Sequence, residues 1–312
     1  MKSLDFSRCA LSCVALAILA GCGGSQPPIG APGAVPQSVT ESAQGTHSGS
    51  LLYVSNDGEA HDVTVYPAGA KEPSPIETIS DDLEQPAGMC VDAQGTLYVL
   101  DFDGWVAEYP AGKTKPSKII TKGIDTPAFC AIDSKGNLWV TNIGGPNVTE
   151  YLKGSTKPRT VITKGLTYPG GIAIDHSGNM YVGNDGSYGQ GPYSVVVYAP
   201  GSKLPSRTIT DGVTSTADIT VDAKGTLYVA NAFSNNVEEY RSGQNQPYQT
   251  ITDGIDFPEG VTVNKQGRLY VVNLGNSEVV EFAPGSITPS DRQISKGLLD
   301  PFGTACSPPL LP

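Results

Sequence analysis

The chain has 312 residues, with 37 glycines, 25 prolines, 31 acidic against 20 basic side chains, and a formal charge of −11 at neutral pH. An acidic surface disfavours nucleic acid as a partner, because phosphate backbones are bound by neutralising Lys and Arg. The Gly and Pro content suits a turn-dense β protein, and the regular hydrophobic periodicity excludes reading it as disorder.

Lys2 and Arg8 precede an apolar run, Ala10 to Ala20, that is too short to span a bilayer, so residues 1–21 read as an export signal. The run ends in Leu19-Ala20-Gly21-Cys22, which resembles the bacterial lipobox. That resemblance implies cleavage before Cys22, which would become diacylglyceryl-modified and N-acylated, for example with palmitate. More than one acyl chain gives stable anchoring, so a membrane partner is expected through Cys22. Losing residues 1–21 removes Lys2, Arg8 and Asp5, one net positive charge, and leaves −12 on the mature chain. Residues 22–50, with Pro27, Pro28, Pro32 and Pro36 among Gly, Ser and Gln, read as a flexible lipidated linker. By likeness to Gram-negative lipoproteins, Gly23 lacks the aspartate that favours inner-membrane retention, so the outer membrane or cell surface is expected, with a periplasmic placement as the other option.

From Leu51 onward one unit recurs, clearest at Pro169 to Tyr198: proline, a glycine-rich turn, a hydrophobic strand, Asp-x-x-Gly, a Tyr-Val strand, Asn, and a second tyrosine. Its aromatic anchors are Tyr53, Tyr98, Trp139, Tyr181, Tyr228 and Tyr270, spaced by 45, 41, 42, 47 and 42 residues. Periods of this length holding four short strands predict propeller blades. In the first strand Ile172 and Ile174 flank Ala173, a period-2 alternation in which a bulky face meets a small one. Asp92, Asp133, Asp175, Asp222 and Asn264 each open an Asx turn that ends on glycine. The first unit begins at its second strand and the last ends on an unpartnered first strand, Phe302 to Ser307. The C-terminal strand is therefore expected to complete the N-terminal blade, giving an all-β, six-bladed propeller with four-stranded blades over residues 51–312.

The segments Pro169-Gly170-Gly171-Ile172-Ala173-Ile174-Asp175 and Gly178-Asn179-Met180-Tyr181-Val182 resemble the NHL-repeat propellers. The likeness runs from about Leu51 to Ser307, with departures at Thr216, which replaces the proline, and Ser307, which replaces the Asp. It is specific for fold and not for function, since such propellers include binding modules, lyases and relatives of lactonases.

Cys90, Cys130 and Cys306 all fall in first strands. Parity would let Cys90 face either of the others, but packed sheets stand about 10 Å apart. Three buried thiols are expected.

Sites in propellers lie at the axial mouth. Asp125, Asp218, Asp256, Glu259 and Asp300 fall in loops leading there, with Asn142, Asn184, Asn231 and Asn273 at the ends of second strands. Oxygen donors of this kind suit Ca²⁺ or Mg²⁺. Pro258-Glu259-Gly260 loosely resembles a motif of gluconolactonase-like propellers, which implies a metal-dependent hydrolase or lyase with Asp218 and Glu259 as ligands or base; that family's opening Glu-Gly-Pro segment is missing. The repeated Asn reads first as a turn residue, and His47, His61 and His176 form no cluster in sequence. The longest departure from the repeat is the segment from Asn184 to Tyr193. Tyr188 and Tyr193, with Tyr168, Phe233 and Phe257 on neighbouring loops, are expected to form an aromatic platform for a protein, peptide or glycan. The preferred reading is thus an exported, lipid-anchored, monomeric binding or scaffold propeller for an envelope or extracellular ligand, with no cofactor and with the metal enzyme as the alternative.

Overall fold

In a computed structural model, which describes residues 50–186 and 190–308, the repeat unit folds as a four-stranded antiparallel blade. The export signal, Cys22, the linker up to residue 49 and Tyr188 lie outside the described residues. The first three strands are β1 (Leu51–Asn56), β2 (Asp62–Pro67) and β3 (Glu77–Ile79). Blade II is β4 (Pro86–Val91), β5 (Leu97–Asp101), β6 (Trp105–Tyr109) and β7 (Lys118–Ile120). Blade III is β8 (Pro127–Ile132), β9 (Leu138–Asn142), β10 (Asn147–Tyr151) and β11 (Pro158–Ile162). Blade IV is β12 (Pro169–Ile174), β13 (Met180–Asn184), β14 (Ser194–Tyr198) and β15 (Pro205–Ile209). Blade V is β16 (Ile219–Val221), β17 (Leu227–Asn231), β18 (Asn236–Tyr240) and β19 (Gln249–Ile251). Blade VI is β20 (Pro258–Val263), β21 (Leu269–Asn273), β22 (Glu278–Phe282) and β23 (Pro289–Ile294). The last strand, β24 (Pro301–Ser307), pairs antiparallel with β1, Leu51 opposite Ser307, and completes blade I. The ring therefore closes as the repeat register requires, and two edges that would template other chains are removed.

The recurring residues make the blade. Each Asx side chain receives two backbone N–H groups, as Asp175 Oδ1 does from Ser177 and Asn179 at 2.9 and 2.8 Å, and the closing glycine takes positive φ, +82° at Gly178. The second tyrosine is fully buried and donates its hydroxyl to a carbonyl in the loop that leads into its own blade. Tyr151 reaches Lys122 O at 2.6 Å, Tyr198 reaches Lys164 O at 2.6 Å and Tyr240 reaches Asp211 O at 2.6 Å. Tyr66 and Tyr109 do the same in blades I and II, and Phe282 stands at this place in blade VI. Burial and the neighbouring Asp62 carboxylate push the Tyr66 phenol up to about 12. The strand-end Asn is a loop clasp: Asn231 Oδ1 accepts Thr214 N at 2.9 Å and its Nδ2 donates to Gly212 O at 3.0 Å.

The joint between blades VI and I carries an extra tie. Arg292, 7% exposed, pairs with Glu281 at 2.6 Å and donates to Pro67 O at 2.9 Å and to Ala70 O, fastening the outer strand of blade VI to the loop after β2. A buried carboxylate needs such a partner, because desolvation alone costs several kcal/mol per ion.

Two expectations are corrected here. Cys90 in β4 and Cys130 in β8 form a disulfide with Cα atoms 5.7 Å apart, so three free thiols do not exist. The 10 Å spacing belongs to sheets packed face on, whereas blades converge toward the axis, and their innermost strands come within disulfide reach. Cys306 remains a free buried thiol, and burial pushes it up to about 12. Ile174, expected on the same buried face as Ile172, is only half-buried and lines a central cavity of about 140 Å³, while Ile172 is 4% exposed. The alternation holds, and the equivalent Ile132 is likewise half-buried, whereas Val91, Val221 and Val263 at this position are buried.

Candidate functional site at the propeller mouth

The inner strands begin with a β-bulge at the mouth, between Pro86 and Met89, Pro127 and Cys130, Pro169 and Ile172, and Pro258 and Gly260. Bulges re-aim side chains, and here they turn the first residues after the proline away from the ladder. At those places the repeat uses Ala87, Gly88, Ala128, Gly170, Gly171, Gly260 and Gly303. Four larger residues break the pattern: Phe129, Phe302, Asp218 and Glu259.

Phe129 and Phe302 stack with ring centroids 5.3 Å apart, and Phe102 meets Phe302 edge-on at 5.4 Å. A side chain at Gly88 would collide with Phe129, so the small residue makes room for the ring. The Thr141 hydroxyl receives Phe129 N at 3.0 Å and donates back to Phe129 O at 3.1 Å. The mouth over blades I to III is thus filled by aromatic rings.

Over blades IV to VI, with Asp57 of blade I beside them, it is acidic. Asp218 stands where the missing proline shortens the inner strand to three residues. Its Oδ1 accepts Ile219 N at 2.8 Å and its Oδ2 accepts Val261 N at 3.0 Å, so it clasps blade V to blade VI. Burial nevertheless holds its carboxyl well above the usual range. Thr216, the residue replacing proline, donates both its N–H and its hydroxyl to Asp185 Oδ1 at 2.7 and 2.5 Å. Glu259 is 6% exposed, and burial together with the charges of Asp185, Asp218 and Asp57 pushes it up to about 8. Asp57, in the β1–β2 loop, is itself pushed up to about 6 by burial.

The predicted aromatic platform is assembled in part. Phe233 lies on a 3-10 turn, Ala232–Ser234, and is 60% exposed. Its ring meets Tyr193 at 6.2 Å and Phe257 at 6.1 Å, both edge-on, which gives a three-ring ridge spanning blades IV to VI. Asn235, in the left-handed region at φ 50°, accepts Phe257 N at 2.7 Å and links the loops that carry two of the rings. Tyr168 is half-buried beside Asp185 and makes no ring contact among the described residues.

The other acidic candidates serve the loops. Gly144 N donates to Asp125 O and Gly275 N to Asp256 O, each at 3.1 Å, and a side chain at either glycine would collide with the aspartate above it. Asp300 O accepts Asp57 N at 3.1 Å in blade I. Asn142, Asn184, Asn231 and Asn273 are loop clasps as described. Among the described residues no three His, Cys, Asp or Glu side chains converge closely enough to hold a metal ion. The Asp218 and Glu259 pair therefore stands without a third donor, and both oxygens of Asp218 are already engaged by backbone N–H groups.

Asp57, Asp185, Phe129 and Phe302 were missed as site residues. The signal for the two phenylalanines was present in the sequence: each puts a ring where the repeat otherwise has glycine or alanine.

Six four-stranded blades in a ring define the chain as a six-bladed β-propeller. No protein-family profile and no curated protein sequence matches it. Among solved structures it is similar to a chain of the nidogen/laminin complex, with a TM-score of 0.71 at 17% identity over 83% of this chain and 98% of that one. It is also similar to the hydrazine synthase of Kuenenia stuttgartiensis, with a TM-score of 0.56 at 18% identity over 73% of this chain and 72% of that one. At these identities the likeness is one of fold.

Proposed function

We propose that this propeller is a binding module that holds a protein ligand across the mouth of blades IV to VI. The observation that carries the reading is the ridge of Tyr193, Phe233 and Phe257, with Phe233 largely exposed at its centre. Exposed aromatic rings on rigid supports supply contact area at low conformational cost, and they dominate binding energy in protein interfaces. One structural neighbour, similar over 83% of the chain, comes from a complex between two proteins, which favours a protein ligand over a glycan. In this reading the repeat is of the NHL type, and the module is exported and held at a membrane by acylated Cys22, on the strength of the sequence Leu19-Ala20-Gly21-Cys22.

Arrays of envelope polypeptides and of glycans, probed with the full chain, test the ligand class. Saturable capture of a polypeptide that weakens at least tenfold in Phe233→Ala, with an unchanged melting temperature, is the expected result; capture of glycans alone, or indifference to Phe233→Ala, rejects it. Cys22→Ala should move the protein from the membrane to the soluble fraction, and continued membrane retention would reject the anchor.

A further inference from the structure

At the mouth end of β20 stands an acid without a protein partner among the described residues. Glu259 is 6% exposed and accepts no hydrogen bond from any described residue. Among the described residues no fully buried side-chain oxygen or nitrogen lacks a partner, so the Glu259 oxygens keep some contact with solvent. The charges that bear on Glu259 come from Asp185 in the loop after β13, Asp218 before β16 and Asp57 after β1, all acids. Asp57 in turn faces Asp101, Asp300 and His61, the base of this set. Asp185 and Asp218 are occupied by Thr216 and by backbone N–H groups. Glu259 and Asp57 make no side-chain hydrogen bond within the described structure, and Phe257 of the ridge lies two residues before Glu259.

We propose that Glu259, supported by Asp57, Asp185 and Asp218, receives a primary alkylammonium group such as the lysine side chain of a protein ligand. The inference rests on the binding reading of the same mouth and names the chemistry of its deepest subsite. An uncompensated carboxylate at low dielectric is costly, and an incoming cation supplies the charge that the fold withholds. A metal ion is the poorer occupant, because among the described residues no three acidic side chains converge within coordination reach. An alkylammonium needs only one close carboxylate in a negative field, and its methylene stem suits the ridge rings, of which Phe257 is two residues from Glu259 in the chain.

The pH dependence follows from the raised acid. Glu259, held up to about 8, is protonated below that pH, so a cation must displace its proton to bind. Affinity should therefore fall by up to about tenfold per pH unit below 8, with Asp57 adding to the loss near its own value of about 6.

The test is calorimetric titration of the full chain with N-acetyl-lysine amide and with its uncharged counterpart N-acetyl-norleucine amide. At pH 8.5 the lysine derivative is expected to bind at least tenfold more tightly, to lose that advantage in Glu259→Gln, and to weaken between pH 8 and pH 6. Equal binding of the two amides, or undiminished binding in Glu259→Gln, overturns the proposal, and the wild-type pH series carries the same test if the variant does not fold. If array polypeptides bind through Phe233 while lysine amide does not, the cation subsite alone fails. If lysine amide binds through Glu259 and no polypeptide is captured, the protein-ligand reading alone fails.

Discussion

Tyr151 shows how one atom of a repeated residue holds a blade to the chain that enters it. Its ring is fully buried, and its hydroxyl is the donor available to Lys122 O at 2.6 Å. Tyr151→Phe should cost about 0.5–1.5 kcal/mol in chemical denaturation, because the exposed Lys122 carbonyl loses a hydrogen bond to a buried donor. An unchanged midpoint would mean that water replaces the hydroxyl freely. Such residues were legible in the sequence because they recur: Asp175 and its equivalents are the Asx turns the spacing predicted, and Asn231, read there as a strand-end turn residue, ties down the loop before its blade. The acidic well was legible only in part. Asp218 and Glu259 could be flagged as acids near the mouth, but their opposite fates depend on where backbone N–H groups point. Asp218 meets two such groups, and Glu259 meets none. No one-dimensional pattern carries that distinction.

At the scale of elements, the inner strands decide both the closure and the site. The Cys90–Cys130 disulfide joins β4 to β8 across 40 residues of sequence. Non-reducing peptide mapping should find these two cysteines linked and Cys306 free, and the pair Cys90→Ala and Cys130→Ala should lower stability by about 2–4 kcal/mol. Cys306 alkylated together with Cys90 and Cys130 in unreduced protein would contradict the linkage. The sequence contained the parity that allows this bond, but not the distance, since convergence of inner strands follows from blade geometry and not from the pattern of any one strand. The bulges are similar: proline followed by small residues is visible at each, yet only the ladder register reveals that the next side chain leaves the sheet toward the mouth. Thr216 shows the reverse, because a single missing proline announced the place where blade V departs, where the strand shortens and Asp185 finds two donors.

For the whole molecule, a 40- to 50-residue period sufficed for the six blades and for the closure of the ring by β24, because both follow from counting strands around a circle. What the period could not convey is the asymmetry of its mouth. Blades I to III carry the packed rings of Phe102, Phe129 and Phe302, whereas blades IV to VI carry the ridge rings together with Asp185, Asp218 and Glu259, which Asp57 of blade I also faces. Function is therefore expected on one half of a nearly regular ring, where residues replace the repeat and do not repeat themselves. Hydrogen–deuterium exchange of the full chain at pH 8.5, with and without N-acetyl-lysine amide, tests this most directly. The account predicts added protection in the loops carrying Asp185, Phe233 and Phe257 to Glu259, and none around Phe102 and Phe129. Protection centred on blades I to III, or spread evenly around the ring, would contradict it.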